Sequence, residues 1–438
     1  MSAILWTIFL LQVQAAPKPA APPAPDFKTE IDYKAWLEKY VVGGLPKEQN
    51  AAPLYTAIFG DPDDPKAKPM GFNGPRTAEK PVDEIGPWDP AKHPDWEAAY
   101  QKTKDVVQRF KEAAGKPYAW WGVRLNAPPG EPKLLIYALL SDPSVVRTLA
   151  KGASENSWRA PGGKVDEAAF VASNRAVLGL FRQLERNPVL IAQLVASAIR
   201  FVCYQDLLRA VDLEFLSDKK RADVLLMLKS KDEAGPPFCY AANAELAAVF
   251  DAIQFVMMKT KGLFGSSKET GVTFVNGAIR CNGPKARDEV VEHFATLASE
   301  VEKPYDAGTM ARISAADEKM RTCDLLVAIT VPSLGRAYQL LLRAETMRRG
   351  TRLVYELLAY RDKNKKWPAA LQDLPLESDK SVRIDPFSNK PYAYRLDDGK
   401  PLLYSWGQNA KYDGGTTPDD HWGDKLADWD YILWPLQR

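Results

Sequence analysis

Between Asn409 and Asp430 the chain carries six carboxylates, Asp413, Asp419, Asp420, Asp424, Asp428 and Asp430, against two ammoniums, Lys411 and Lys425. The excess negative charge in one turn-rich stretch is repulsive unless the side chains splay into water or share a cation. Hard oxygen donors with glycine at sharp turns suit Ca²⁺, and Gly407, Gly414 and Gly415 supply such turns. Asn409, Lys411, Asp413, Gly414 and Asp420 fall at positions one, three, five, six and twelve of a helix-loop-helix calcium register. Lys411 is a poor third ligand, so that motif is not met literally. The competing reading is a solvated acidic loop.

The segments that must position this loop lie just upstream. A helix ending in Leu357-Leu-Ala-Tyr-Arg361 leads to Trp367-Pro-Ala-Ala-Leu-Gln-Asp-Leu374 and a turn, Asp385-Pro-Phe-Ser-Asn-Lys-Pro391. Two strands follow, Tyr392-Ala-Tyr-Arg395 and Leu402-Leu-Tyr-Ser-Trp-Gly407, and then the Asn/Asp/Gly loop. In this order of features the last ninety or so residues resemble the C-terminal globular region of the type II secretion major pseudopilins. The resemblance implies a small α+β unit whose final loop binds calcium, with the Trp406 carbonyl, Asn409, Asp413, Asp419 and Asp420 as ligands. Asn409 stands where that family usually has Asp. The helix comparable to the family's N-terminal assembly helix here follows residue 330, so the fold and the ion are carried over and pseudopilus assembly is not.

The rest of the chain reads as a helical body. Its 438 residues are 46% apolar, ample for a buried core, and a net charge of +2 gives no concentrated basic face for nucleic acid. Residues 1–16 hold an apolar run from Ile4 to Leu11 and small residues suited to cleavage after Ala15 or Ala16, as in a secretory signal peptide, although Lys and Arg are missing before the run. Membrane association is expected only if that segment stays uncleaved. A Pro/Ala-rich spacer covers 17–27, and an irregular segment 28–94 has Trp36, Tyr40, Tyr55, Phe59 and Trp88 as pegs into the body. Fourteen of the 34 prolines fall between 17 and 90, which rules out continuous helix there.

Residues 95–330 read as predominantly helical. Helices are expected from Trp96 to Lys111, Val165 to Arg186, Leu190 onward after Asn187-Pro188, and Ala241 to Met258. The run Lys133 to Leu140 and the stretch to Ala150 are ambiguous between helix and strand. Val290, Phe294, Leu297 and Val301 form another apolar stripe. Such stripes predict an antiparallel helical array. A long helix from Ser333 to Arg361 then opens the last unit, 333–438, with Ser333 as N-cap and Gly350 as a weak point. Its later part is rich in Arg and Lys, which reads as a solvated charged face or one turned toward the acidic loop or an anionic surface.

Frames for other chemistry are missing. Cys203, Cys239, Cys281 and Cys323 lack metal-knuckle spacing; they allow two disulfides in an exported chain, or leave Cys203 as a buried thiol. His93, His293 and His421 sit in no Gly-x-Ser-x-Gly or His-Glu-x-x-His frame, and Gly262-Leu-Phe-Gly-Ser-Ser-Lys268 lacks phosphate-loop register. Five of twelve tryptophans, Trp367, Trp406, Trp422, Trp429 and Trp434, fall in the last 72 residues, either roofing the small sheet or offering a sugar- or peptide-stacking surface. The expectation is therefore an α+β protein of the periplasm or cell envelope. It would be non-enzymatic, structural or interacting with envelope proteins, and connected with secretion. The alternative is a metal-dependent hydrolase with its site between the body and the acidic tail.

Overall fold

The computed structural model describes residues 20–60, 86–125, 127, 130, 132–138, 143–230, 238–259, 283–321, 331, 334–376, 379–415 and 430–436. Helices begin where the sequence supplies caps. Asp32 accepts from Ala35 N at 2.8 Å to open α1 (Tyr33–Val42), which ends at Gly43 with φ 45°. Asp166 accepts from Ala168 N and Ala169 N to open α5 (Glu167–Glu185). Pro53 sits in the first turn of α2 (Ala52–Phe59), and Pro94 with Asp95 and Glu97 opens α3 (Pro94–Ala114). The Asn187-Pro188 break restarts the chain as α6 (Leu190–Asp212), whose first N–H, on Leu190, donates to Glu245 of α8 (Phe238–Lys259) at 2.9 Å.

The remaining helices among the described residues are α4 (Pro143–Ser157), α7 (Asp218–Leu228), α9 (Gly283–Glu302), α10 (Thr309–Arg321) and α11 (Leu334–Asn364). Within the ambiguous run, Leu135–Tyr137 form a short 3₁₀ turn and the stretch from Pro143 to Ala150 belongs to α4, while residues 139–142 lie outside the described residues. Ser333 lies outside the described residues, as do the signal-like segment, Cys281 and Cys323.

Two apolar clusters form the core. One gathers α2 to α7 with the second half of α11, and receives Trp88, Tyr55 and Phe59 as pegs. The other gathers α1, α8, α9, α10 and the start of α11, with Trp36 and Tyr40 partly buried against it. Both clusters continue into the last unit, through Leu403, Leu433 and Trp434 in the first and Phe387 in the second. Among the described helices α6 and α8 are long and apolar enough to cross a membrane by length and composition. Here α6 packs against α5 and α11, and α8 against α1 and α9.

The chain closes with a three-stranded antiparallel sheet in the order β1 (Ala393–Asp397), β2 (Lys400–Ser405), β3 (Tyr431–Trp434), so the fold class is α+β with a mainly helical body. The β1–β2 hairpin turns through Asp398-Gly399, both at positive φ, the pair that a two-residue turn with matched twist requires. β3 was not expected from sequence. It pairs Leu403 with Trp434 and Ser405 with Tyr431, and so completes the sheet.

The basic face of α11 is corrected in part: Lys363, Lys365 and Lys366 are exposed, as a solvated face requires, but the arginines of the middle turns are not. Arg348 and Arg352 are 7% and 6% exposed, not solvated. Arg348 forms a two-pronged pair with Glu345 at 2.6 and 2.7 Å, Arg349 reaches the same carboxylate at 2.7 Å, and Arg352 meets Asp379 at 2.6 Å. Burial alone would raise the Glu345 pKa, but the bond and charge of Arg348, with the charge of Arg349, bring it down to about 2. Arg349 also donates to the carbonyls of Ser381 and Ile384. Helix α11 thereby fixes residues 379–384, and through them the turn that begins at Asp385.

Gly350 is likewise a contact point where the sequence suggested a weak point. A Cβ there would lie 2.4 Å from Leu433 Cδ1, and Leu433 is fully buried. Elsewhere in a helix Gly→Ala gains about 1 kcal/mol. At this notch the overpacking cost of about 1–3 kcal/mol prevails. Gly350→Ala is therefore expected to lower stability in urea denaturation, and a variant more stable than the parent would show that β3 does not press on α11.

Candidate functional site

The site is assembled by two buried carboxylates. Asp385, 0% exposed, accepts from Phe387 N (3.2 Å), Ser388 Oγ (3.1 Å), Ser405 Oγ (2.9 Å) and Trp406 N (2.9 Å). One side chain thus ties the turn after residue 384 to the end of β2. Burial raises its pKa, and the N–H and hydroxyl donors oppose that shift. The turn is also held to the helical body: Asn389 donates to Tyr305 O at 2.8 Å, and Tyr305 donates to Gln408 O at 3.0 Å. Gln339 of α11 donates to the Gln408 side chain.

From this anchor the chain turns through Gly407 and Ala410, both with φ in the left-handed region, and then through Gly414 and Gly415. Asn409 donates to Asp413 Oδ2 at 3.0 Å, while its own Oδ1 accepts from Lys411 N at 2.9 Å. The start of β3 brings in Asp430, also 0% exposed. Its Oδ2 accepts from Asp413 N at 3.0 Å and Gly415 N at 2.8 Å. Its Oδ1 is buried and has no hydrogen-bond donor among the described residues. Burial pushes the Asp430 pKa up to about 6; the two N–H donors oppose this, and the negative charges of Asp413 and Asp385 add to it.

Of the residues expected from sequence, Asn409 and Asp413 are brought together. Trp406 is placed beside them, with its N–H given to Asp385 and its indole N–H to Pro391 O at 3.1 Å. Asp419, Asp420 and His421 lie outside the described residues. Among the described residues no group of three or more His, Cys, Asp or Glu side chains is arranged to hold a metal ion. Asp430, not chosen as a ligand from sequence, is the member whose geometry stands out. Its signal was weak: it is the last of six similar aspartates, set apart only by the apolar Tyr431-Ile-Leu-Trp434 that follows.

The other candidates are structural. His93 stacks on Trp96 at 4.3 Å. His293 is buried with Nε2 3.6 Å from Asp317, and burial lowers its pKa. Cys203 is buried in α6, its thiol directed at Asn174 O at 3.6 Å. Asp206, fully buried, accepts from Ser154 Oγ at 2.5 Å and Trp158 Nε1 at 2.9 Å, which fixes α4 to α6.

Two expectations separate the roles of the carboxylates. Asp385→Ala strands several buried donors and should cost about 3 kcal/mol or more in chemical denaturation, whereas a loss under about 1 kcal/mol would remove it as the anchor. Asp430 has a raised folded-state pKa, so its contribution is fully present below its unfolded value and is lost as pH rises through the folded one. In chelator, the stability of the parent relative to Asp430→Asn should fall by on the order of 3 kcal/mol between about pH 4 and pH 6. A pH-independent difference would contradict the buried placement. Comparisons with family models, curated proteins and solved structures returned no match, so the site is read from its own geometry.

Proposed function

We propose that the chain is an exported, non-enzymatic structural or interaction protein of the cell envelope whose pseudopilin-like C-terminal unit is closed by calcium. The observation that supports this reading is the buried Asp430 Oδ1, an acceptor with no donor among the described residues, in a turn that already holds Asp413 and Asn409. A carboxylate taken out of water needs a proton or a cation. The residues fit a hard ion: Asp413 and Asp430 offer carboxylates, and Asn409 and the Trp406 carbonyl offer neutral oxygens. Asp419 and Asp420 belong to the connection between Gly415 and Asp430. Ca²⁺ accepts six to eight such oxygens in irregular geometry, and sites outside the cell work at about 10⁻⁴–10⁻³ M. The ion would neutralise the acidic stretch and hold β3 against β2. The body and sheet would then form a rigid platform for protein partners.

The test is calcium titration by calorimetry in buffers of different ionisation enthalpy, with the melting temperature followed with and without chelator. Binding should raise the melting temperature, release up to one proton near pH 5 as Asp430 deprotonates, and disappear in Asp430→Asn and Asp413→Ala. At a hundredfold excess over Kd the gain would be about 2.7 kcal/mol. Absence of both heat and shift would reduce the acidic stretch to solvated surface. Recovery of the chain in the cytoplasm with its first sixteen residues intact would overturn the envelope assignment.

A further inference from the structure

We propose that the seat between α1, α8 and α9 is a polyproline-recognition site, which the chain's own residues 22–25 occupy and which a proline-rich segment of a partner protein enters by displacing them. The stretch Ala20-Ala-Pro-Pro-Ala-Pro25, read from sequence as part of a spacer, lies packed on the body. It forms neither helix nor strand, and its prolines fix φ at about −65°, as the polyproline II helix requires. That helix has about three residues per turn. Burial follows the same period: Pro22 and Pro25 are buried, while Ala20, Ala21, Pro23, Ala24 and Asp26 are exposed. One edge of the strap thus faces the protein.

The seat is built from side chains of the folded body. A polyproline II helix makes no internal hydrogen bonds, so its carbonyls look outward for donors. Tyr33 of α1 donates its hydroxyl to Pro23 O at 2.8 Å, and Arg287 of α9 donates Nη1 to Pro25 O at 3.2 Å. Tyr33 is 1% exposed and stands 6.2 Å from Phe250 of α8 between ring centroids. Arg287 is steadied by Asp288, which takes its Nε at 2.8 Å and its Nη2 at 2.7 Å, and the guanidinium lies 5.9 Å from the Phe27 ring centroid. Aromatic surface with side-chain donors for two nearby carbonyls is the chemistry by which aromatic grooves hold P-x-x-P segments. Strand addition is a different mode and needs a row of N–H groups, which proline at 22, 23 and 25 removes.

The strap is separated from the body by a turn. Asp26 Oδ1 accepts from Lys28 N at 2.8 Å and Thr29 N at 3.0 Å, and Phe27 takes φ 61°. Firm anchorage begins at Ile31, whose N–H and carbonyl are both bonded to the Gln254 side chain of α8 at 2.9 Å. Residues 20–25 can therefore lift at this turn while α1 keeps its place. Tethered so closely, the strap competes with a free ligand at an effective concentration on the order of millimolar, which masks the seat until a proline-rich segment outcompetes it.

The probe is a fluorescently labelled peptide with the sequence of residues 17–26, Pro-Lys-Pro-Ala-Ala-Pro-Pro-Ala-Pro-Asp, followed by anisotropy against the full chain in chelator so that the acidic loop takes no part. Pro22→Gly/Pro25→Gly unseats the strap, and this variant should bind the peptide at least about tenfold more tightly than the parent. A peptide with alanine at those two prolines should bind the variant at least about tenfold more weakly. Arg287→Ala in the variant should cost a similar factor, because the last proline's carbonyl loses its charged donor. A photoreactive form of the peptide, at millimolar concentration, should label α1 or α9 of the unaltered parent, which keeps the test decisive where the double variant does not fold. No binding by the folded variant, equal affinity for the alanine peptide, indifference to Arg287→Ala, or labelling confined to other helices would each overturn the proposal. So would a parent dimer that Pro22→Gly/Pro25→Gly dissolves without gaining peptide binding, since the strap would then serve exchange between copies.

Discussion

The buried guanidinium seam of α11 is the constraint on which the rest of the C-terminal architecture depends. A guanidinium removed from water costs several kcal/mol unless its partners are in place. Arg348, Arg349 and Arg352 therefore dictate where Glu345, Asp379 and the carbonyls of Ser381 and Ile384 must lie. Those positions set residue 385, and residue 385 sets the end of β2. Each step passes geometry from the helix to the turn by charge, where an apolar contact would allow sliding.

Two carboxylates within this small unit have been given opposite surroundings. Asp385 has donors on both oxygens and serves as a joint. Among the described residues Asp430 has two donors on one oxygen and none on the other. The same side-chain chemistry is thus fully satisfied in one place and satisfied on one oxygen only in the other, among the described residues. The difference lies in the donors: Asp385 receives Phe387 N and Ser388 Oγ from its own turn and Ser405 Oγ and Trp406 N from the end of β2, while Asp430, just before β3, receives the N–H groups of Asp413 and Gly415 on one oxygen.

Much of the helical body was legible in the sequence because a core stripe and a cap are local signals. Asp166, Pro94 and the Asn187-Pro188 break mark helix starts within a few residues of where they occur. The hairpin was legible for the same reason. What escaped was non-local. β3 is four residues long, too short for a periodic pattern, and it is defined by pairing with β2. The arginines of α11 looked solvated because their burial comes from packing on other segments, and Asp379, the partner of Arg352, lies on a loop. Asn409 and Asp413 were nominated by the resemblance, whereas the surroundings of Asp430 depend on N–H groups from residues 413 and 415, joined to it only in space.

Helix α11 also belongs to both apolar clusters at once: Leu334, Ala337 and Tyr338 lie in one, and Met347, Leu353, Val354 and Leu358 in the other. At about 1.5 Å per residue its 31 residues run roughly 46 Å through the molecule. Neither cluster can lose its packing without exposing part of the same continuous rod. The two halves of the core are therefore thermodynamically coupled. Local opening at the α8–α10 end and at the sheet end draws on a shared reserve of stability, and the molecule's slowest hydrogen exchange should be found along this helix rather than in the middle of either cluster.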